Sequence, residues 1–154
     1  MEQFKFMVDT NIILDYLDER DEFYEKARLL AICAQIGEFE LWASASQFTD
    51  LVYLLSDGGK ASLMSEVLER LRNLRSFVNV CPLGTADIDA MLDCGWKDPE
   101  DYIIYASALS VGADAILTRD QKDFQESSIR VFDCDELFRW LEEDHDLIYG
   151  EVAF

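Results

Sequence analysis

The sequence predicts an α/β fold, in which a mainly parallel sheet of about five strands lies between two layers of helices. Two observations predict it. Short apolar runs alternate along the chain with longer segments of helical periodicity. Apolar runs of this kind are typical of strands that are buried on both faces of a parallel sheet. No repeat, low-complexity segment or linker divides the 154 residues. We therefore predict one domain over residues 1–154, with an acidic and then apolar tail at residues 142–154.

Five strands are predicted at the short apolar runs, over residues 4–8, 39–43, 77–81, 115–118 and 130–132. Helical spacing of apolar residues predicts helices over residues 12–18, 21–36, 61–74 and 134–142. Three more helices are predicted from their caps: one capped by Ser44 or Ser46, one capped by Thr85, and one that begins at Asp98-Pro99. Gly37 and Gly112 are placed to end the second and sixth helices. Right-handed crossovers would then cover both faces of the sheet.

The charge of the chain restricts its partners. Thirteen Lys and Arg residues are outnumbered by 32 Asp and Glu residues, which gives a formal charge of -19. Such a surface repels phosphate backbones, which argues against simple basic-patch nucleic-acid binding and favours cations and basic partners.

The cysteines and the single histidine do not predict a zinc site. Cys33, Cys81, Cys94 and Cys134 are scattered, and His145 stands apart from them as an expected tail residue. We interpret the cysteines as reduced core residues of a cytoplasmic protein. We expect neither a signal peptide nor a membrane span.

Four aspartates are placed where they can meet at one edge of the sheet. Asp9 follows the first strand and Asp120 follows the fourth, while Asp50 and Asp101 lie in helices that follow the second strand and precede the fourth. Ligands of open parallel sheets bind outside the carboxyl ends of the strands. The acids converge only if the crossovers bring their elements together. Each acid also has a structural interpretation, because a turn, a helix cap or an exposed helix face can each account for a single aspartate.

Three sequence blocks resemble the PIN domain family, the metal-dependent nuclease fold of many bacterial toxin–antitoxin toxins. They are VDTNIILDYL, ASQFTDLVYLL and EDYIIYASALSVGADAILTRDQKDF, which begin at residues 8, 45 and 100. The resemblance extends from Val8 to about Leu141 and implies a PIN-like fold. The family usually has glutamate where this chain has Asp50, whose side chain is one methylene shorter. Direct and water-mediated contact of Asp50 with a metal therefore both remain open.

The resemblance implies a site for one or two Mg²⁺ or Mn²⁺ ions. The implied catalytic residues are Asp9, Asp50, Asp101 and Asp120, and the implied metal ligands are Asp9, Asp101, Asp120 and Asp123. An all-oxygen carboxylate set suits these ions, which activate water and stabilise a leaving oxygen without a separate protein base. Thr10, Asn11 and Thr118 are expected to support the carboxylates by hydrogen bonds or, for Thr10 and Asn11, to cap the first helix.

RNA is the implied substrate, and few cations are placed to contact it. The candidates are Lys60, Arg119, Lys122 and the group Arg70, Arg72 and Arg75, although this group can equally form salt bridges on its own helix. The implied protein partner is a basic antitoxin. We expect its tail to cover the acidic pocket and to lie against helices at residues 12–36 and 45–74, and we expect a homodimer.

The resulting hypothesis is a metal-dependent endoribonuclease for single-stranded RNA, the toxin of a toxin–antitoxin pair. The alternative is a non-catalytic PIN-like module that binds metal or a partner without cleaving RNA. A phosphoryl-accepting receiver is disfavoured because the second acid after the first strand is absent and Lys122 is the only lysine near the fourth strand. An aspartate-nucleophile phosphatase would have an acid where this chain has Asn11.

Overall fold

Five parallel strands form one sheet in the computed structural model, which describes residues 3–149. The strands are β1 (Lys5–Val8), β2 (Glu40–Ser44), β3 (Val78–Cys81), β4 (Ala115–Leu117) and β5 (Arg130–Phe132). The helices are α1 (Thr10–Leu17), α2 (Tyr24–Gln35), α3 (Ala45–Leu55), α4 (Ala61–Arg75), α5 (Thr85–Leu92), α6 (Pro99–Val111) and α7 (Cys134–His145). Short 3₁₀ turns occupy Asp21–Phe23 and Gln121–Phe124. The predicted parallel α/β fold is confirmed.

Two faces of the sheet bury two separate apolar clusters. Phe6 and Val8 of β1 point into a cluster with residues of α1, α2, α3, α4 and α7. Met7, between them in the sequence, points to the opposite face and packs with Ile104 and Ala108 of α6. This alternation follows from the period of two along a strand. Because both faces are covered, the three-layer arrangement predicted from the sequence is confirmed.

The strand order places a crevice beside β1. The strands lie in the order β3-β2-β1-β4-β5, so the chain first proceeds outward from β1 to β3 and then returns to the other side of β1 through α5 and α6. β1 and β4 are therefore neighbours at the point where the strand order reverses. In open parallel sheets the carboxyl ends of two such strands leave room for a ligand.

Three boundaries differ from the predicted ones by two residues or more. α1 begins at Thr10 because Asp9 caps it. Asp21 has a φ of +37°, outside the helical region, and it begins the 3₁₀ turn Asp21–Phe23. α2 therefore begins only at Tyr24. α7 continues to His145, which places the acidic residues 142–144 in a helix rather than in a tail. The exposed His145 packs its ring against Trp140, with centroids 4.5 Å apart. Residues 150–154 of the predicted tail lie outside the described residues.

The predicted caps of the sixth helix are confirmed. The carboxylate of Asp98 accepts a hydrogen bond from the Glu100 N–H at 2.9 Å, with Pro99 in the first turn. Gly112 ends the helix with a left-handed φ of +70°, a conformation that glycine adopts without strain. Among residues 3–149, no helix is both long and apolar enough to cross a membrane.

Candidate active site

Asp9 lies at the centre of the crevice between β1 and β4. Its backbone N–H continues the sheet by donating to the carbonyl of Leu117 at 2.8 Å. One carboxylate oxygen accepts from the Thr10 N–H at 2.7 Å, and the other accepts from the Thr118 hydroxyl at 2.7 Å. The side chain is therefore oriented from both strands, and Asp9 keeps only 9% of its surface exposed.

Thr118 and Asn11 connect Asp9 to Asp120. The hydroxyl of Thr118, besides donating to Asp9, accepts from the Asp120 N–H at 3.0 Å. The amide of Asn11 donates to the Asp120 carboxylate at 3.1 Å, and its oxygen accepts from the Arg119 N–H at 3.4 Å. The loop after β4 is thus attached to the start of α1. Asp120 itself is exposed, as expected for a side chain at the mouth of a cleft.

Asp50 and Asp101 face Asp9 across a cleft of about 340 Å³. Asp50 comes from α3 and Asp101 from the first turn of α6, which packs on the opposite face of the sheet. Glu100 lines the same cleft, and Thr10 lies beside Asp9. The structure thus brings three of the four predicted catalytic acids to one cleft, and hydrogen bonds attach the fourth, Asp120, to its edge.

Mutual repulsion and burial change the pKa values of these acids. Burial raises the pKa of Asp101 to about 7, with further increases from the charges of Asp98, Asp9, Asp123 and Glu100. Burial also raises the pKa of Asp9, although the hydrogen bonds from Thr118 and Thr10 act against it. Carboxylates that repel one another in this way favour a bound cation, which removes the repulsion.

Asp123 belongs to a second cleft that adjoins the first at Asp101. This cleft has a volume of about 670 Å³. It is lined by Trp96, Lys97, Asp98, Asp101, Lys122, Asp123, Gln125 and Glu126. Asp123 is exposed, and its charge contributes to raising the pKa values of both Asp9 and Asp101. Lys122, a predicted RNA contact, therefore lies beside the acids.

The other predicted RNA contacts are engaged elsewhere. Lys60 forms an ion pair with Asp57. Arg119 binds Asp15, which is described below. Arg70 donates to the carbonyl of Leu17 and pairs with Asp18 at 3.4 Å. Arg75 donates to the carbonyl of Val78 at 3.3 Å. These contacts do not test RNA binding, so Lys60, Arg119 and the group Arg70, Arg72 and Arg75 stay predicted RNA contacts.

Gln47 is a supporting residue that the sequence did not reveal. It is 98% buried, and its amide donates to the carbonyl of Val8 at 2.7 Å and to the hydroxyl of Thr10 at 3.3 Å. Its oxygen accepts from the Ser44 N–H at 2.8 Å. Gln47 thereby fixes the start of α3 against the end of β1. The sequence did contain a signal for this role, because a serine followed three residues later by glutamine, here Ser44 and Gln47, is the pattern of a helix capping box.

Asp15 is the second supporting residue that the sequence did not reveal. It is 1% exposed and binds both Nε and Nη2 of Arg119, at 2.8 and 3.0 Å. Its position among apolar residues of α1 was the only signal. A buried acid requires a cation, but its partner lies 104 residues away and no local pattern identifies it.

The acids fit a hard cation without forming a closed metal cage. Among residues 3–149, no group of three or more His, Cys, Asp or Glu side chains is close enough to hold a metal ion on its own. The donor set is nevertheless all oxygen, and Asp9 is close enough to Asp101 for its charge to raise the pKa of Asp101. Mg²⁺ keeps several water ligands and needs only one or two carboxylates, so the residues fit Mg²⁺ or Mn²⁺.

An open parallel sheet with carboxylates gathered at its switch point defines a class of α/β proteins with an acidic, cation-attracting cleft. Residues 5–122 match the family model of the PIN domain, and the chain therefore belongs to the PIN domain family. This confirms the resemblance seen in the three sequence blocks. A curated relative, Ribonuclease VapC1 of Aquifex aeolicus (strain VF5), is 28% identical over 142 residues, which is 88% of this chain and 95% of the relative.

Two solved structures share the fold. The first is VapBC2 from Rickettsia felis, bound to a DNA fragment from the promoter of the VapBC2 proteins. Its TM-score is 0.59 and its sequence identity is 16%, and the match covers 84% of this chain and 98% of the other. The second is FitAB bound to the IR36 DNA fragment, with a TM-score of 0.59 and 17% identity over 84% and 94% of the two chains. At these identities the two structures support the fold.

Proposed function

We propose that this protein is a Mg²⁺- or Mn²⁺-dependent endoribonuclease that cleaves single-stranded RNA, and that it is the toxin of a toxin–antitoxin pair. One observation carries the proposal. Asp9 follows β1 and Asp101 lies on α6, and the two meet in one cleft, where burial and then the charges of neighbouring acids, Asp9 among them, raise the pKa of Asp101 to about 7. The Aquifex aeolicus relative, which is named a ribonuclease, supports the same reaction.

The side chains have separate roles in this proposal. Asp9 and Asp101 would hold the cation, Asp120 and Asp123 would add charge at its edge, and Asp50 would act directly or through water. A bound cation would activate a water molecule and stabilise the leaving oxygen of the phosphodiester. Thr118 and Thr10 keep both oxygens of Asp9 oriented, and the hydrogen bonds that they make favour its charged form.

Sequencing the ends of RNAs cut by the purified protein tests this function. We expect defined cuts by the wild type in Mn²⁺ and none by Asp9→Asn, because the substitution removes a charged ligand from a site that acts by electrostatic stabilisation. Asp89→Asn, at an exposed position on α5, is the matched control and should cut normally. Equal cutting by Asp9→Asn, or by the wild type in excess chelator, would contradict the proposal.

The proposed partners are a basic antitoxin and a second copy of the chain. The charge of -19 favours binding of a cationic antitoxin tail near the acids. An apolar groove of about 380 Å³ between α3 and α4 would accommodate the apolar residues of that tail. Phe48, Val52, Leu68 and Leu71 line this groove. Exposed Tyr53 and Leu54 on α3 and Leu92 on α5 support a homodimer. Four free cysteines support a reducing, cytoplasmic location.

A non-catalytic PIN module is the second candidate. It is favoured by the lack of a ready-made group of three metal-holding side chains among the described residues, and by the short side chain of Asp50. A protein of this kind would bind its basic partner through the same acidic cleft. It would leave RNA intact in the sequencing experiment and would bind its partner with or without Mn²⁺.

A further inference from the structure

The cleft beside Asp101 and Asp123 contains an indole and two ammonium groups that do not belong to the acid cluster. Trp96, Lys97 and Lys122 share its lining with the two aspartates. Its volume of about 670 Å³ is within the range of sites that enclose small ligands. An indole and two ammonium groups can together bind a nucleotide, since an aromatic ring stacks on a base and lysines attract phosphate.

Lys97 and Lys122 belong to a minority among the cations of this chain. The sequence has 13 Lys and Arg residues, and most of them contact a carboxylate, a carbonyl or an aromatic ring. Within the described part of the chain, neither Lys97 nor Lys122 has an ion pair or hydrogen bond, and both are exposed. A protein with a charge of -19 thus keeps two unpaired lysines at the rim of its acidic cleft.

Trp96 is held in place by other aromatic residues. Its ring is stacked on Tyr105, with centroids 5.1 Å apart and planes 24° apart. Phe124 and Tyr102 contact it edge-on, at 6.1 and 5.7 Å. The indole is half-buried, and part of it lines the cleft. A ring that is already fixed loses little side-chain entropy when a base stacks on it, which favours binding.

We propose that this cleft binds a nucleotide of single-stranded RNA next to the phosphodiester that lies at the acids, with its base against Trp96 and its phosphates near Lys97 and Lys122. This inference rests on the proposed function, since it names the substrate-binding part of the same site. Stacking tolerates every base and so gives affinity without strict sequence preference. Asp98, Asp101, Asp123 and Glu126 also line the cleft, so binding requires a divalent ion to offset their charge.

Tryptophan fluorescence tests the stacking directly. The probe is a short phosphorothioate oligoribonucleotide, which resists cleavage, added to the wild-type protein in Mg²⁺. We expect its bases to quench the fluorescence, and we expect a ribose-phosphate chain of equal charge without bases to leave it unchanged. The chain has three tryptophans, and Trp96→Leu should abolish the quenching although Trp42 and Trp140 remain. Quenching that persists in Trp96→Leu would overturn the proposal.

Affinity and salt dependence test the three residues separately. Trp96→Leu should weaken binding about 5- to 150-fold, the range for loss of one stacked base, and Trp96→Phe should weaken it less. Lys97→Ala and Lys122→Ala should each lower the salt slope of log affinity by about 0.7. Arg139→Ala removes an exposed cation that does not line the cleft, so its slope should equal that of the wild type.

Folding and cleavage assays separate the possible failures. Melting curves identify any variant that is unfolded, and the lysine variants, whose side chains are exposed, keep the proposal testable if Trp96→Leu does not fold. Normal cleavage by the wild type, with an unchanged KM in Trp96→Leu, Lys97→Ala and Lys122→Ala, would overturn the inference and leave the proposed function intact. Absence of cleavage by the wild type would contradict the proposed function, whereas base-dependent quenching would still support the nucleotide site.

Discussion

The guanidinium of Arg119 donates two hydrogen bonds to the carboxylate of Asp15, at 2.8 and 3.0 Å, and stacks on Phe23 at 4.0 Å from the ring centroid. Arg119 lies between Thr118 and Asp120 in the sequence, and both neighbours belong to the hydrogen-bond network around Asp9. The ion pair therefore attaches the loop after β4 to α1, and it fixes the position of the residues that orient the acids.

Removing Arg119 should destabilise the protein more than removing Asp15. Arg119→Met leaves the carboxylate of Asp15 buried and unpaired, which should cost about 3–5 kcal/mol of unfolding free energy. Asp15→Asn should cost less, because the side chain of Arg119 is 28% exposed and can reach water. Urea denaturation of the metal-free protein measures both values.

Lys60→Met is the control for the ion-pair prediction. The pair of Lys60 and Asp57 is exposed, and its loss should change stability by about 0–1 kcal/mol. Arg119→Met with a stability equal to that of Lys60→Met would show that the buried pair does not hold the loop.

Thr118→Val should damage the site while preserving its shape. The substitution removes the donor to Asp9 and the acceptor for the Asp120 N–H, and Thr118 is fully buried, so about 1–3 kcal/mol of stability should be lost. The pKa of Asp9 should rise further, since this hydrogen bond acts to lower it. Manganese affinity at neutral pH should therefore fall, and calorimetry measures it.

Thr118→Ser is the matched control because it keeps the hydroxyl. We expect its manganese affinity to be close to that of the wild type. If the valine and serine variants bind Mn²⁺ equally well, the hydroxyl of Thr118 does not support Asp9.

The raised pKa of Asp101 should make the metal-free protein less stable as the pH rises from about 4 to about 7. The folded-state pKa of Asp101 is raised to about 7 from the ordinary value of 3.8, so the folded state retains a proton that the unfolded chain has released. Stability then falls with pH across this interval. Asp101→Asn should be more stable than the wild type at pH 8 in chelator, and the difference should shrink toward pH 4.

Melting temperatures across this pH range, with Asp89→Asn as an exposed control on α5, measure the effect. The difference between each variant and the wild type isolates the contribution of the substituted residue, because the other titrating groups are common to both proteins. A difference for Asp101→Asn that does not depend on pH would contradict the raised pKa.

A basic antitoxin should associate with this protein at a rate that depends strongly on salt. The charge of -19 steers a cationic tail toward the acids, so raising salt should slow association more than it speeds dissociation. Stopped-flow measurements with the product of the neighbouring gene give both rates. A basic side chain at Asp9 and Asp101 should also lower manganese affinity. If the bound partner leaves the manganese affinity unchanged, the prediction that the partner displaces the metal is wrong.

Much of the fold follows from local sequence patterns. The apolar runs predicted all five strands, and the caps Asp98 and Gly112 predicted both ends of α6. Boundaries were missed where a single dihedral angle decides them, as at Asp21, because a positive φ is uncommon for aspartate and apolar spacing does not reveal it. The end of α7 was missed because acidic residues 142–144 are typical of an exposed tail as well as of an exposed helix face.

The site was predictable only in part. Asp9 and Asp120 follow strands, so the geometry of a parallel sheet places both at one edge. The residues that position these acids do so through contacts between parts of the chain that are far apart in the sequence. The sequence did not reveal that Arg119, which stays a predicted RNA contact, binds Asp15. It also did not reveal that Gln47 of α3 donates to the carbonyl of Val8 in β1. Trp96 belongs to no motif, and only the folded chain places it beside Asp101.

Manganese binding measured by calorimetry tests the central claim most directly, since the account requires that Asp9 and Asp101 hold a cation together. The wild type should bind one or two Mn²⁺ ions, and saturation at a hundred times Kd should add about 2.7 kcal/mol to its stability. Asp9→Asn and Asp101→Asn should each lose most of this affinity, while Asp89→Asn should keep it. A wild type that does not bind Mn²⁺, or variants that bind it as tightly as the wild type, would contradict the account.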